Sequence, residues 1–291
     1  MTKNVRILDG HACRLGEGPS YEAETDTLFW FDILGKTLIE YPFATQKLRL
    51  HDLPFMASAI FSIDAQRQLI LAENGFHLRD RATGTLNFHT AVEADNPITR
   101  SNDARAHPSG AIWFGTMGID EEQGAGAIYH FYKGKVQVLY PNITIPNSIC
   151  FSPDGATAYF VDTPTHRLMQ VVIDPLTALP IGVPHLFYEH KGKGWIDGSV
   201  CDADGNIWNA RWGAGEIACL SPEGVQTKSV TVETSPQTSC PAFVGKGADR
   251  MIVTSAYKQM DEATLANAPD AGKTFFIDLP VNGRLEPKVL T

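Results

Sequence analysis

Basic residues are in short supply. The 291-residue chain carries 24 Lys and Arg against 33 Asp and Glu, a formal net charge of −9. Nucleic-acid binding rests on clustered cations that neutralise phosphates, and anionic lipid surfaces repel an acidic chain. Neither a nucleic acid nor a membrane surface is therefore expected as a partner. Long apolar runs are missing too: the longest are about five to seven residues, far from the roughly 20 that cross a bilayer. The start, Met1 to Arg6, leads into polar sequence with no apolar segment behind a basic head, unlike a secretory leader. Paired cysteines are absent. Cys13, Cys150, Cys201, Cys219 and Cys240 are odd in number, dispersed and without a CxxC pair, which argues against a disulfide framework and a zinc ribbon. Reduced thiols in a cytoplasmic protein are the expectation.

Helical periodicity is also lacking. Only Met260 to Ala268 hints at it, and a loop with a helical turn is expected there. What recurs instead is a short β-branched or aromatic run behind a turn. These runs begin at Leu28, Leu69, Ile112, Ala158, Ile207 and Met251, at steps of 41, 43, 46, 49 and 44 residues. Turns such as His107-Pro108-Ser109-Gly110, Ser152-Pro153-Asp154-Gly155 and Asp202-Ala203-Asp204-Gly205 precede them. Asp, Pro and Gly there supply the fixed and positive φ values of tight hairpins. A period in the forties with several short strands per unit is the signature of a propeller blade. The expectation is an all-β, six-bladed β-propeller, a single domain over residues 1–291. A β-sandwich is the alternative, but its strands would not fall into such even groups. Trp30, Trp113 and Trp208 sit in the recurring runs and are expected in the core. Trp195 and Trp212 are candidates for a pocket mouth, and His107 for a turn residue.

A propeller places equivalent positions of its blades around a central channel. Ten or eleven residues before each run stand Glu17, Ser58, Asn102, Asn147, Asp197 and Cys240. All six can ligate or hydrogen-bond, and the ring is expected at one mouth of the channel. Two carboxylates and a carboxamide oxygen suit one hard divalent cation such as Ca²⁺, Mg²⁺ or Mn²⁺, with waters completing the shell. Fe²⁺ and Zn²⁺ stay open, although no His- or Cys-rich set favours zinc. A Gly-x-Ser-x-Gly nucleophile elbow is absent, which argues against a serine hydrolase of that type.

The stretches Leu15-Gly16-Glu17-Gly18-Pro19, Arg100-Ser101-Asn102-Asp103 with Gly115-Thr116-Met117, Asn147-Ser148 with Phe151-Ser152-Pro153-Asp154-Gly155, and Asp197-Gly198 with Asp204-Gly205-Asn206-Ile207-Trp208 carry a resemblance. In this order and spacing they resemble the family of gluconolactonase, senescence marker protein (regucalcin) and luciferin-regenerating enzyme, over roughly residues 13–260. The resemblance implies a propeller that hydrolyses sugar-acid lactones with one divalent metal. Glu17, Asn147 and Asp197 would hold the metal, and Arg100 and Asn102 would bind the substrate. An acidic residue a few positions beyond Gly-Thr-Met would touch the sugar, and Asp120 and Glu121 both lie in range. Asp197 is the candidate general base, with a metal-bound hydroxide as the competing account. Two rival readings remain: a non-enzymatic propeller that binds a metal or ligand, and an esterase- or phosphotriesterase-like hydrolase on the same scaffold. A closed propeller has no edges to cover, so a monomer is preferred.

Overall fold

The computed structural model describes residues 4–291; Met1–Lys3, part of the stretch read above for a leader, lie outside the described residues. Six four-stranded antiparallel sheets follow one another around a ring. The first strand, β1 (Val5–Asp9), belongs to the last sheet. Blade one is β2 (Gly16–Glu22), β3 (Thr27–Asp32), β4 (Thr37–Pro42) and β5 (Arg49–Asp52). Blade two is β6 (Ala57–Ser62), β7 (Arg67–Ala72), β8 (Gly75–Asp80) and β9 (Leu86–Ala91). Blade three is β10 (Thr99–Ala106), β11 (Ile112–Gly118), β12 (Gly126–Tyr132) and β13 (Lys135–Ile143). Blade four is β14 (Pro146–Phe151), β15 (Thr157–Asp162), β16 (Arg167–Val172) and β17 (His185–Glu189). Blade five is β18 (Trp195–Cys201), β19 (Ile207–Trp212), β20 (Glu216–Leu220) and β21 (Gln226–Thr231). Blade six joins β22 (Thr238–Val244), β23 (Arg250–Ser255) and β24 (Thr274–Ile277) to β1. The six-bladed propeller expected from the repeat is the observed architecture.

All six recurring runs are second strands of their blades: β3, β7, β11, β15, β19 and β23. Their position explains their composition. A second strand is covered on both faces by neighbouring blades, so it reads as a continuous apolar run rather than an alternating one. β3 and β11 are buried at every residue, whereas the outermost strand β5 has no buried residue. The core is distributed between blades. One cluster packs Trp208 and Ile217 of blade five against Phe243 and Met251 of blade six; another packs Trp113 of blade three against Phe151 and Phe160 of blade four. Trp30, Trp113 and Trp208 are buried as expected.

His107 occupies the β10–β11 turn and reaches blade four. Its Nε2 lies 2.9 Å from the Gly155 carbonyl oxygen, and its Nδ1 accepts from the Ser109 amide at 3.0 Å. The Met260–Ala268 stretch holds one short helix, α1 (Glu262–Asn267), capped by the Asp261 carboxylate, which accepts from the Thr264 amide. Beyond β24 the chain runs without regular structure across the end of the channel opposite the cavity described below. The Asn282 carbonyl accepts from the Ala203 amide, and the Arg284 guanidinium donates to the carbonyls of Phe151, Ser152 and Cys201. Glu286 pairs with Arg105 at 2.6 Å, and the Val289 amide donates to the Ser62 carbonyl.

Candidate active site

Each innermost strand breaks its pairing register once. The breaks fall at Glu17/Ser20, Ala57/Ala59, Ser101/Ala104, Asn147/Cys150, Ile196/Ser199 and Thr238/Pro241. A bulge bends a strand and re-aims its side chains. The constant offset in the sequence is thus a β-bulge repeated in every blade, and all six ring residues lie in or at the edge of one. In blade one the bulge depends on glycine. Gly18 has φ +56°, and a Cβ there would sit 1.9 Å from the Ser58 carbonyl oxygen.

Four of the six ring residues, Glu17, Asn102, Asn147 and Asp197, line one cavity of about 400 Å³. Ser58 and Cys240 do not reach it. Ser58 donates to the Ser101 hydroxyl at 2.9 Å, and Cys240 lies deeper, with its sulfur 3.8 Å from Arg105 Nη2. The expected ring at the mouth is therefore a four-residue arc, with two members folded into the channel interior. Arg100 and Glu121 also line the cavity; Asp120 lies outside its wall, exposed, with its amide donating to Glu122. Trp195 and Trp212 form part of the wall with Leu15, Met117 and Ile145.

A directed chain of hydrogen bonds links blades three, four and five. Arg100 Nη1 donates to Asn102 Oδ1 at 2.9 Å, and Asn102 Nδ2 donates to Asn147 Oδ1 at 3.0 Å. Asn147 Nδ2 donates to the Thr163 hydroxyl at 3.0 Å, which donates to the Ile196 carbonyl at 2.9 Å, one residue before Asp197. The Asp197 carbonyl in turn accepts from Ser148 Oγ at 2.5 Å and Asn209 Nδ2 at 2.9 Å. These contacts fix both amide orientations and do not engage the Asp197 carboxylate, which accepts from the Gly198 amide at the cavity wall. Arg100 is 2% exposed, and its Nε has no acceptor among the described residues.

Electrostatics single out two carboxylates. Burial, followed by the nearby charge of Asp103, pushes the Glu17 carboxyl up to about 8. Burial, then Glu17, then Asp103 raise Asp197 well above the ordinary carboxylate range. Burial also lowers Arg100 to about 10 against the opposing pull of Glu17, Glu121 and Asp197. Two desolvated carboxylates in one cavity each disfavour the other's charge, and a cation between them would favour both charged forms. With the Asn147 side-chain oxygen they form an oxygen-donor set that fits one hard divalent ion. Among the described residues no group of three or more His, Cys, Asp or Glu side chains is arranged to hold a metal. The fit therefore depends on the carboxamide as third donor.

Sequence reasoning missed Thr163, Lys258 and Asp103. Thr163 opens a short 3-10 turn directly after β15, and its signal was the Thr-Pro that follows the Tyr159-Phe160-Val161 run. Lys258 comes from the irregular segment between β23 and α1, where the repeat offers no phase. Asp103 stood inside a quoted motif. It lies below the cavity, where its Oδ2 accepts from the Ile149 amide at 2.7 Å.

A six-bladed propeller with a cavity at one end of its channel, its wall carrying carboxylates, carboxamides and an arginine beside apolar side chains, defines the class. The chain belongs to the SMP-30/gluconolactonase/LRE-like family, whose model matches residues 15–257. It is 50% identical over 283 residues to a Rhizobium meliloti protein named "Putative sugar lactone lactonase", covering 97% of this chain and 96% of that one. It is 33% identical over 267 residues to an L-arabinolactonase of Azospirillum brasilense, covering 90% and 87%. A crystal structure of a calcium-binding protein, regucalcin, from Agrobacterium tumefaciens superposes with a TM-score of 0.96 at 48% identity, covering 98% of this chain and 97% of that one.

Proposed function

We propose that this protein hydrolyses the lactone of a sugar acid to the open-chain acid, with one divalent cation held by Glu17, Asn147 and Asp197. Lactone hydrolysis is the activity that its family supports. The observation that carries the finer reading is the half-buried Glu17 carboxylate and the buried Asp197 carboxylate, with Arg100 on the wall of the same cavity of about 400 Å³. When bound, the cation would polarise the lactone carbonyl and stabilise the charge that develops on it.

The chain's own residues supply the remaining steps. Asp197 takes a proton from the attacking water, whose oxygen bonds to the carbonyl carbon. Arg100 offers its guanidinium to the oxygen that gains charge. Collapse of the tetrahedral adduct breaks the bond to the ring oxygen, which recovers the proton from Asp197 as the hydroxyl of the product. Asn102 is held between Arg100 and Asn147, so it fixes the guanidinium relative to the cation-binding oxygens. Glu121 accepts from a sugar hydroxyl, and the indole faces of Trp195 and Trp212 cover the sugar's C–H surface.

The test is a pH-stat titration of acid release from gluconate, galactonate, arabinonate and xylonate lactones, with and without chelator. A chelator-sensitive rate above the spontaneous one on at least one of them supports the reading. No such rate on any overturns it in favour of cation binding without turnover, the reading to which the calcium-binding neighbour would then point.

A further inference from the structure

Two basic side chains stand on the cavity wall, Arg100 and Lys258, and the mechanism above uses the first alone. Lys258 follows β23 in blade six. Glu121 follows β11 in blade three, half a turn away around a six-membered ring. Their side chains nevertheless meet as an ion pair, so the contact bridges the cavity from opposite blades. The Lys258 side chain is 15% exposed and that of Glu121 41%. A pair joining surface loops would leave both ends in water; this one has its ammonium drawn inward.

The backbone on both sides is built for this placement. Of the non-glycine residues on the wall, Glu121 (φ 64°) and Gln259 (φ 59°) are the two in the left-handed region. That conformation persists in non-glycine residues only where the surroundings enforce it. The surroundings do: the Lys258 carbonyl accepts from Gln237 Nε2 at 3.0 Å, and the Tyr257 amide donates to the Cys13 carbonyl at 3.3 Å. The ammonium thus rests on a fixed turn.

A hydroxyl both donates and accepts, a carboxylate only accepts and an ammonium only donates. An ammonium–carboxylate pair is therefore matched to a hydroxyl inserted between its members, which accepts from the first and donates to the second. We propose that Lys258 is a specificity-determining residue that, with Glu121, grips a hydroxyl of the sugar lactone and so selects hydroxylated lactones over plain ones. This rests on the lactonase reading.

The experiment compares kcat/KM for the best aldonolactone with that for γ-butyrolactone, which has no hydroxyl, in the metal-loaded wild type and in K258M, K258R, K258Q and E121Q, each checked by thermal melting. A site that hydrogen-bonds a substrate hydroxyl discriminates strongly against its loss. For this partly exposed pair the ratio is expected to fall about 30-fold in K258M, carried by KM on the aldonolactone, with K258R recovering most of it. E121Q is expected to lower the same ratio, and K258Q, which removes the charge but keeps a polar end, keeps the test decisive if K258M fails to fold. An unchanged ratio, or equal losses on both substrates, overturns the assignment of Lys258 while leaving the lactonase reading intact. A wild type inactive on every lactone overturns both.

Discussion

The two ends of the channel solve the same electrostatic problem in opposite ways. At the covered end, Arg105 is buried and fully engaged. It pairs with Glu286 at 2.6 Å and donates to the Ser199 carbonyl at 3.0 Å, and Glu286, Cys240 and Asp103 outweigh the burial that works against its charge. At the cavity end, no cation among the described residues is in direct contact with Glu17 or Asp197, and their carboxyls are pushed upward. One end is neutralised by the chain's own residues and the other asks for a ligand. Buried charge that the protein leaves uncompensated marks a site, whereas buried charge that it compensates marks structure.

Four results would break or sharpen this contrast. The largest concerns Asp197. Loss of a general base costs about 10² to 10⁴ in rate, so Asp197→Asn should lower kcat by about a thousandfold in the pH-stat assay. It should also raise the melting temperature of chelator-treated protein, because one of two like charges is gone. A mutant that keeps most of its rate would remove Asp197 as base. Next, Arg105→Met leaves Asp103 buried and Glu286 half-buried without their cation. Breaking such a pair costs about 3–5 kcal/mol, measurable by urea unfolding, and a loss near zero would mean that the covered end is not stabilised by its charges.

The third result is a pH dependence. Glu17 and Asp197 have folded pKa values raised above their unfolded ones. Metal-free protein should then lose stability as pH rises from the ordinary carboxylate range toward the raised value of about 8. Cation should reverse that loss, by about 2.7 kcal/mol at a hundred times its dissociation constant, and bind less tightly as pH falls. Calorimetry with and without chelator reads both. The smallest effect has the opposite sign. Burial holds the His107 imidazole below its ordinary value, so its contribution is present above the unfolded pKa of about 6.5 and is lost as pH falls through the folded one. A loss of about 1 kcal/mol on acidification, absent in His107→Gln, is expected.

Much of this was legible in the residues. The starts of the six second strands were read to within two residues because burial on both faces writes a contiguous apolar run. The residues at the bulges were legible because a repeat makes a fixed offset equivalent in every blade. The offset could not tell which of the six would face the cavity. Ser58 and Cys240 are small, and a small side chain on a crowded inner strand turns inward to its neighbours. Lys258 and the crossing segment after β24 were illegible for the converse reason. Both lie outside the repeat, and their partners, Glu121 and Arg105, are 137 and 181 residues away in sequence.

The last sheet carries a consequence for biogenesis. Its outermost strand, Val5–Asp9, leaves the ribosome long before the strand that pairs with it, Thr274–Ile277. The ring cannot close until Thr274–Ile277 has been made. Until then the first and fifth blades each expose a face meant for the sixth. Such an intermediate is open to association with other chains and folds slowly, because its decisive contact is also its most distant one. A circular permutant that joins these ends and opens the chain between two other blades would move the seam without changing the cavity.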